Sequence, residues 1–254
     1  MRLSLVVPAH DEALRIEPTL RAYRAGLGPD TELIVVANAC TDGTAEVVRR
    51  LAAELGGITL LDIPSSIGKG GAVRAGFAHA SGEYVGFADA DLATPPEDVR
   101  RVLDAAAAGG AAIGSRGMPG SRVIGRTASR DLVGRAFAAL AHLLLGVPFH
   151  DTQCGIKIFH RRYLAEYLAR SSVSDLAFDV EMLVLLRDAG ARIAEVGTTW
   201  TAKPGSATLG TLPDFVREGR RMVASLLRLR ARRGVRSAGS AEPAHGEQRE
   251  PGQR

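Results

Sequence analysis

The chain reads as an α/β protein built on one doubly wound, mainly parallel sheet covered on both faces. Three observations predict this. Short apolar or β-branched runs alternate with helical patterns through the first half, the rhythm of repeated strand-helix-strand units. Each of the polar clusters "PAHDE", "NACTDGT" and "DAD" follows such a run, at the carboxyl end of a predicted strand where ligands of this sheet type bind. Finally, 254 residues with 46% hydrophobic and 24% charged side chains supply enough apolar material for a core.

The elements follow in order. Strands are expected over 3 to 9, 32 to 39, 58 to 64 and 83 to 89, with helical patterns near 12 to 26, 42 to 55 and 69 to 80 between them. Thr94 is placed to cap a helix with Pro95 at its first position and Glu97 completing a capping box. A strand over 111 to 116, an Arg-rich loop and an apolar helix over 131 to 145 come next. The stretch "DTQCGIKIFH" leads to helices near 160 to 169 and 178 to 189 and a strand over 192 to 200. A folded domain is thus expected over 1 to 212, a basic amphipathic helix over 213 to 233 and a disordered tail over 234 to 254.

Composition excludes several classes. Two cysteines, Cys40 and Cys154, make neither a disulfide framework nor a zinc pattern. The longest apolar run, 136 to 147, is shorter than the ~20 residues of a membrane span, and the N-terminus does not read as a secretory leader. The net charge of +4 is mild, but arginines crowd 217 to 236. There Phe215, Met222, Leu226 and Leu229 share one helical face, so the helix can lie on an anionic membrane or dock on the core. No aromatic interleaving or recognised motif supports nucleic acid as the partner.

Asp89 and Asp91 are the leading candidate site. Residues two apart in a strand point to one side, so Asp89 and Asp91 are expected to project together while the small Ala88 and Ala90 project the other way and leave room for a ligand. Two carboxylates so close raise each other's pKa unless a cation compensates, which suits Mg²⁺ or Mn²⁺ bridging to phosphates; a solvated acidic turn is the alternative. The glycines around Lys69 in "SSIGKGGAVRAG" suit either a phosphate cradle or a tight, closely packed turn. The segment departs from both the Walker A and the dinucleotide-binding glycine patterns. Arg116, Arg122, Arg126 and Arg130 suit an anionic acceptor or a solvated loop. Asp179, Glu181 and Asp151 are further carboxylates, with helix-dipole or turn roles as their alternatives.

Taken in order, "VVPAHDE", "VVANACTDGTAEVV", "IGKGGAVRAGFAHASGEYVGFADADLATPPEDV", "AIGSR", "DTQCGIKIF" and "AFDVEML" resemble the family 2 glycosyltransferases over roughly residues 1 to 210. The likeness is nearest to the dolichyl- or polyprenyl-phosphate glucosyltransferase and mannose synthase branch. It implies an A-type glycosyltransferase fold and inverting transfer of a hexose from a nucleotide diphosphate sugar to a lipid phosphate. By the same resemblance Pro8, Ala9 and Glu12 contact the nucleotide, while Asp89, Ala90 and Asp91 hold ribose and a metal diphosphate. Lys69 and Lys203 are donor-side cations, and Arg116 and Arg130 ligate the acceptor phosphate. Where the family commonly reads "DDGS", this chain has Ala37, Asn38, Ala39 and Cys40, so Asn38 takes the place of the acidic residue that often reads the base.

The context of "DLATPPEDV" favours UDP-glucose, with GDP-mannose as the alternative donor. A hydroxyl acceptor would need a base, for which Asp179 is the candidate. A peripheral position on the inner, cytoplasmic face of a membrane is expected, where the 131 to 145 helix and the Arg-rich 214 to 233 helix meet lipid. Rival readings are a soluble glycosyltransferase acting on a hydroxyl, a sugar nucleotidyltransferase and a non-catalytic nucleotide-sugar sensor.

Overall fold

A computed structural model describes residues 2–125, 127–202 and 212–239, with side chains described for all of these except 128–130, 212–216 and 233–239. The elements run β1 (Leu3–Ala9), α1 (Ala13–Leu27), β2 (Thr31–Asn38), α2 (Thr44–Leu55), β3 (Ile58–Ile63), α3 (Gly68–His79) and β4 (Tyr84–Ala88). They continue with α4 (Pro96–Gly109), β5 (Gly110–Ser115), β6 (Arg122–Ile124), α5 (Ala128–Leu145) and β7 (Ile156–His160). The rest are α6 (Leu164–Arg170), α7 (Phe178–Asp188), β8 (Arg192–Gly197), β9 (Thr199–Thr201) and α8 (Leu212–Gly239).

Seven strands form one sheet in the order β3-β2-β1-β4-β7-β5-β8. All neighbours are parallel except β7, which runs antiparallel to both β4 and β5. A separate two-stranded ribbon pairs β6 with β9. Because alternate strand residues face opposite sides, β1 feeds two cores. Leu3, Leu5 and Val7 pack with Ile16, Leu20, Val48 and Val99 from α1, α2 and α4. Val6 packs the other way, with Phe77, Tyr167 and Phe178 from α3, α6 and α7. A third cluster joins α5, α7 and α8 through Ala141, Leu183, Met222 and Leu226. The basic helix is thus docked on the core: Leu226 is fully buried, and Met222 and Leu229 are each 7% exposed.

Four local expectations change. "IKIFH" forms a fully paired strand, β7, whose alternation is masked in sequence because Lys157 lies inside the protein rather than on a wet face. The expected strand over 192 to 200 divides at Thr198, whose N–H and hydroxyl both bond the Ser115 carbonyl, so β8 and β9 join different sheets. Thr94 does not cap α4. Pro95 takes that position with Pro96 at the first helical one, and the Thr94 carbonyl instead accepts the Tyr23 hydroxyl at 3.0 Å. Finally, α8 continues to Gly239, into residues expected to begin the tail, since "VRSA" tolerates helix after Gly234. Residues 240–254 of that tail lie outside the described residues.

Candidate active site

The carboxyl ends of β1, β2 and β4 open into a cleft of about 1140 Å³. Pro8, Ala9, Glu12, Asn38, Lys69, Asp89, Ala90 and Asp91, all singled out in the sequence, line it together. The loops carrying them are laced to one another. Asp11 accepts the Thr41 N–H at 2.7 Å, and Thr44 Oγ1 and Asp42 accept the N–H groups of Glu12 and Ala13 at 2.8 and 3.0 Å. The motif "TDGT" thereby supplies acceptors for the unpaired amides at the start of α1. Asn38 Oδ1 accepts the Ile67 N–H at 3.0 Å, and the His10 Nδ1–H donates to the Asn38 carbonyl at 2.7 Å. Asn38 therefore fastens the β2 loop to the loop before α3.

The acidic pair shares the cleft, but by a turn. β4 stops at Ala88, Leu92 has φ 54°, and Asp91 Oδ1 accepts the Ala93 N–H at 3.0 Å. Asp89 is seated more tightly. Its N–H bonds the Gly155 carbonyl, and a side chain at position 155 would bring a Cβ within 2.0 Å of Asp89 Oδ2, which explains the glycine in "DTQCG". Lys69 Nζ donates to Asp89 Oδ1 at 2.7 Å. Burial opposes the charge on Lys69, but the Asp89 and Asp179 carboxylates outweigh it and hold the ammonium above its usual pKa. Burial, and then the Asp89 charge, push Asp91 above the usual carboxylate range.

The donor set fits a hard divalent cation. Asp89 already carries an ammonium, whereas Asp91, among the described residues, forms no ion pair and faces the cleft. A cation there would relieve both its desolvation and its repulsion. Asp91 would thus be the principal ligand of such a cation and Asp89 the secondary one.

The glycines beside Lys69 are used for packing. The Gly70 N–H donates to the Ser174 carbonyl at 3.0 Å, and added Cβ atoms at Gly68 and Gly70 would lie 2.2 and 2.4 Å from the Ser174 and Val173 carbonyl oxygens. The close approach brings the loop before α7 to the cleft wall. Of the two readings left open by the sequence, the tight turn describes these contacts.

Other candidates do not line this cleft. Asp179 is buried against Lys157, with Nζ and Oδ1 2.5 Å apart, and does not line the cleft; burial raises its pKa despite that partner. Glu181 accepts the N–H groups of Ser172 and Val173. Arg116 belongs to a second cavity of about 580 Å³, shared with Asp151, Arg135, His142 and His150. Its guanidinium is forked onto Asp151 at 2.6 and 2.9 Å and lies 5.6 Å from the Trp200 ring centre. The side chain of Arg130, at the start of α5, lies outside the described residues, as do Arg126 and Lys203. Two features escaped the sequence reading. Lys157, the buried cation, was signalled only by a lysine within an apolar run; Arg221, Arg228 and Arg232 of α8 line the first cleft.

The family model for glycosyl transferase family 2 matches residues 4–168. The chain belongs to that family. Glycosyltransferase AglD of Haloferax volcanii is 35% identical, aligned over 90% of this chain and 37% of its own length. Dolichyl-phosphate beta-glucosyltransferase ALG5C of Trichomonas vaginalis is 34% identical over 78% of this chain and 63% of its own. The chain thus spans less than two thirds of either relative. Glucosyl-3-phosphoglycerate synthase of Mycobacterium tuberculosis, solved with Mn²⁺, uridine diphosphate and glucosyl-3-phosphoglycerate, superposes with a TM-score of 0.69 at 21% identity. That match covers 89% of this chain and 79% of the synthase. The family 2 chain therefore has the A-type glycosyltransferase fold expected from its motifs.

Proposed function

We propose that the protein is an inverting glycosyltransferase that moves glucose from a nucleotide diphosphate sugar to a polyprenyl or dolichyl phosphate. UDP-glucose is the favoured donor and GDP-mannose the alternative. One observation carries the reading: a family 2 chain gathers Pro8, Ala9, Asn38, Lys69, Asp89 and Asp91 around a single cleft at the strand ends. The name of the Trichomonas relative supports the acceptor and the sugar.

Charge dictates the division of labour. Negative charge grows on the leaving diphosphate as the bond to the sugar C1 breaks, so the site must hold positive charge there. Mg²⁺ or Mn²⁺ bound by Asp91 and Asp89 would supply Lewis-acid stabilisation. Lys69 keeps Asp89 in register through its 2.7 Å bond. A phosphate monoester, with a second pKa near ~6, attacks as an anion and needs no strong base. A hydroxyl acceptor would need one, yet Asp179 is buried and paired with Lys157 rather than lining the cleft, which favours the phosphate. Arg116 serves the acceptor phosphate from the second cavity, and Arg130, at the start of α5, is the second acceptor-phosphate ligand that the family pattern implies.

Transfer takes place at a membrane surface, with the protein peripheral on its cytoplasmic, inner face. Among the described residues no helix is long and apolar enough to cross a bilayer. The test incubates the protein with labelled nucleotide sugars, Mn²⁺ or Mg²⁺ and a short polyprenyl phosphate, then extracts into organic solvent. Label in the organic phase, lost in a folded Asp91→Ala variant, supports the reading. Transfer only to water-soluble alcohols, or pyrophosphate release from a nucleoside triphosphate, overturns it.

A further inference from the structure

Helix α8 presents two stripes side by side. Met222, Leu226 and Leu229 enter the core between α5 and α7. Glu218, Arg221, Ser225, Arg228 and Arg232 line the first cleft. Their steps of three and four residues keep them on one helical face. The stripe is fixed to the loop before α7. Ser225 Oγ donates to Asp175 at 2.6 Å, Arg228 Nη2 donates to Ser225 Oγ at 3.0 Å, and Arg232 donates to Ser172 Oγ. Arg74 of α3 joins the same wall.

The cations on this wall are under-compensated. Arg221 has Glu218 at 3.7 Å, but among the described residues no carboxylate pairs with Arg74, Arg228 or Arg232. The same cleft holds Glu12, Asp89 and Asp91. A cleft lined by both an acidic pair and arginines without carboxylate partners fits a ligand carrying both a metal-bridged anion and further phosphate oxygens.

We infer that Arg228 and Arg232 bind the diphosphate of the nucleotide donor, making α8 a wall of the donor site rather than only a surface helix. This rests on the reading of the first cleft as the nucleotide-sugar site. Guanidinium forks grip phosphate oxygens in pairs. The ~6 Å rise between positions four apart on a helix lets two such forks reach adjacent phosphoryl groups. The donor is favoured over the lipid phosphate because this stripe shares its cleft with Pro8, Ala9 and Asn38, while Arg116 sits in the other cavity.

Calorimetric titration of the full chain with UDP, GDP and a short polyprenyl phosphate, in Mn²⁺, tests this. An Arg228→Gln/Arg232→Gln variant is compared with Arg220→Gln/Arg230→Gln, which removes the same charge from positions that do not line the cleft. The cleft variant should weaken the preferred nucleotide by about tenfold or more, the control by less than about twofold, with polyprenyl phosphate unaffected by either. Equal losses in both variants, a loss confined to polyprenyl phosphate, or no change overturns the inference while leaving the donor cleft intact. If the wild type binds neither nucleotide, the cleft reading falls and takes the inference with it. Matching melting temperatures establish that both variants are folded.

Discussion

Three non-glycine residues, among those described, adopt the left-handed conformation: Asp11, Ala39 and Leu92, with φ of 52°, 53° and 54°. They follow the ends of β1, β2 and β4, so backbone strain concentrates on the rim where the ligand groups converge. Asp11 is compensated by its bonds to the Thr41 and Asp42 amides. Ala39 has no side-chain polar group and stands where the family pattern has glycine. The left-handed region costs an alanine ~1–2 kcal/mol, against ~0.4–1 kcal/mol of extra unfolded-state entropy for glycine. Ala39→Gly should therefore raise stability by about 0.5 kcal/mol, read as a higher denaturant midpoint at unchanged slope; a lower midpoint would show that the strain is relieved elsewhere. Gly155 presents the opposite case. A methyl there meets Asp89 Oδ2 at 2.0 Å, so Gly155→Ala must displace the carboxylate from Lys69. Overpacking costs ~1–3 kcal/mol. Transfer activity should fall by more than the melting shift alone explains, and full activity would exclude a role for the Lys69–Asp89 contact.

At the scale of elements, ion pairs connect parts that the chain order separates. Arg116 at the end of β5 holds Asp151 in the segment before β7, and both side chains are mostly buried, 14% and 10% exposed. Burial raises the Asp151 pKa, but the Arg116 hydrogen bonds and charge outweigh it and hold the carboxyl below its ordinary 3.8. A depressed folded pKa contributes stability above the unfolded value, and this is lost as pH falls below 3.8 through the lower folded one. Asp151→Asn should cost about 2–3 kcal/mol at neutral pH by leaving the guanidinium buried without its counter-charge. Its unfolding midpoint should then vary less with pH than the wild type's below 3.8; parallel acid profiles would contradict the pairing. Legibility differed between elements for a related reason. β1 to β4 and their helices carry uniform apolar runs and helical periods, so their order and the cleft at their ends could be read directly. β7 carries Lys157 in its centre, and that lysine makes sense only with Asp179 of α7 beside it. The same holds for the α8 arginines: their helical spacing was visible, but the cleft they line is assembled from β1, β2, α3 and β4.

On the proposed reaction, the whole molecule would bring a water-soluble donor to the first cavity and a lipid-borne acceptor to the second. The A-type fold supplies the first cavity at the strand ends, and α5 borders the second through Asp131, Arg135, Ala138 and His142. α5 and α8 pack through the shared third core cluster, so any lipid contact involves their outer faces rather than the apolar stripe of α8. Those faces are not uniformly polar. Leu132 and Leu143 of α5 are 69% and 74% exposed, and Leu227 of α8 is 52% exposed. Arg135, 78% exposed on its side chain, places positive charge on the same pair of helices. Exposed leucines on helices that also carry arginine, here Arg135 paired with Asp131 at 2.8 Å, suit an anionic interface, where apolar insertion and charge attraction add. Inserting a leucine halfway is worth about 1 kcal/mol, so three together shift binding by roughly a hundredfold. The wild type should co-sediment with vesicles containing anionic lipid, less so as salt screens the arginines. Leu132→Gln/Leu143→Gln/Leu227→Gln should weaken that association by at least about tenfold while leaving nucleotide binding unchanged, because none of the three lines the first cleft. Vesicle binding that survives the triple substitution would place the lipid contact on another face of the molecule.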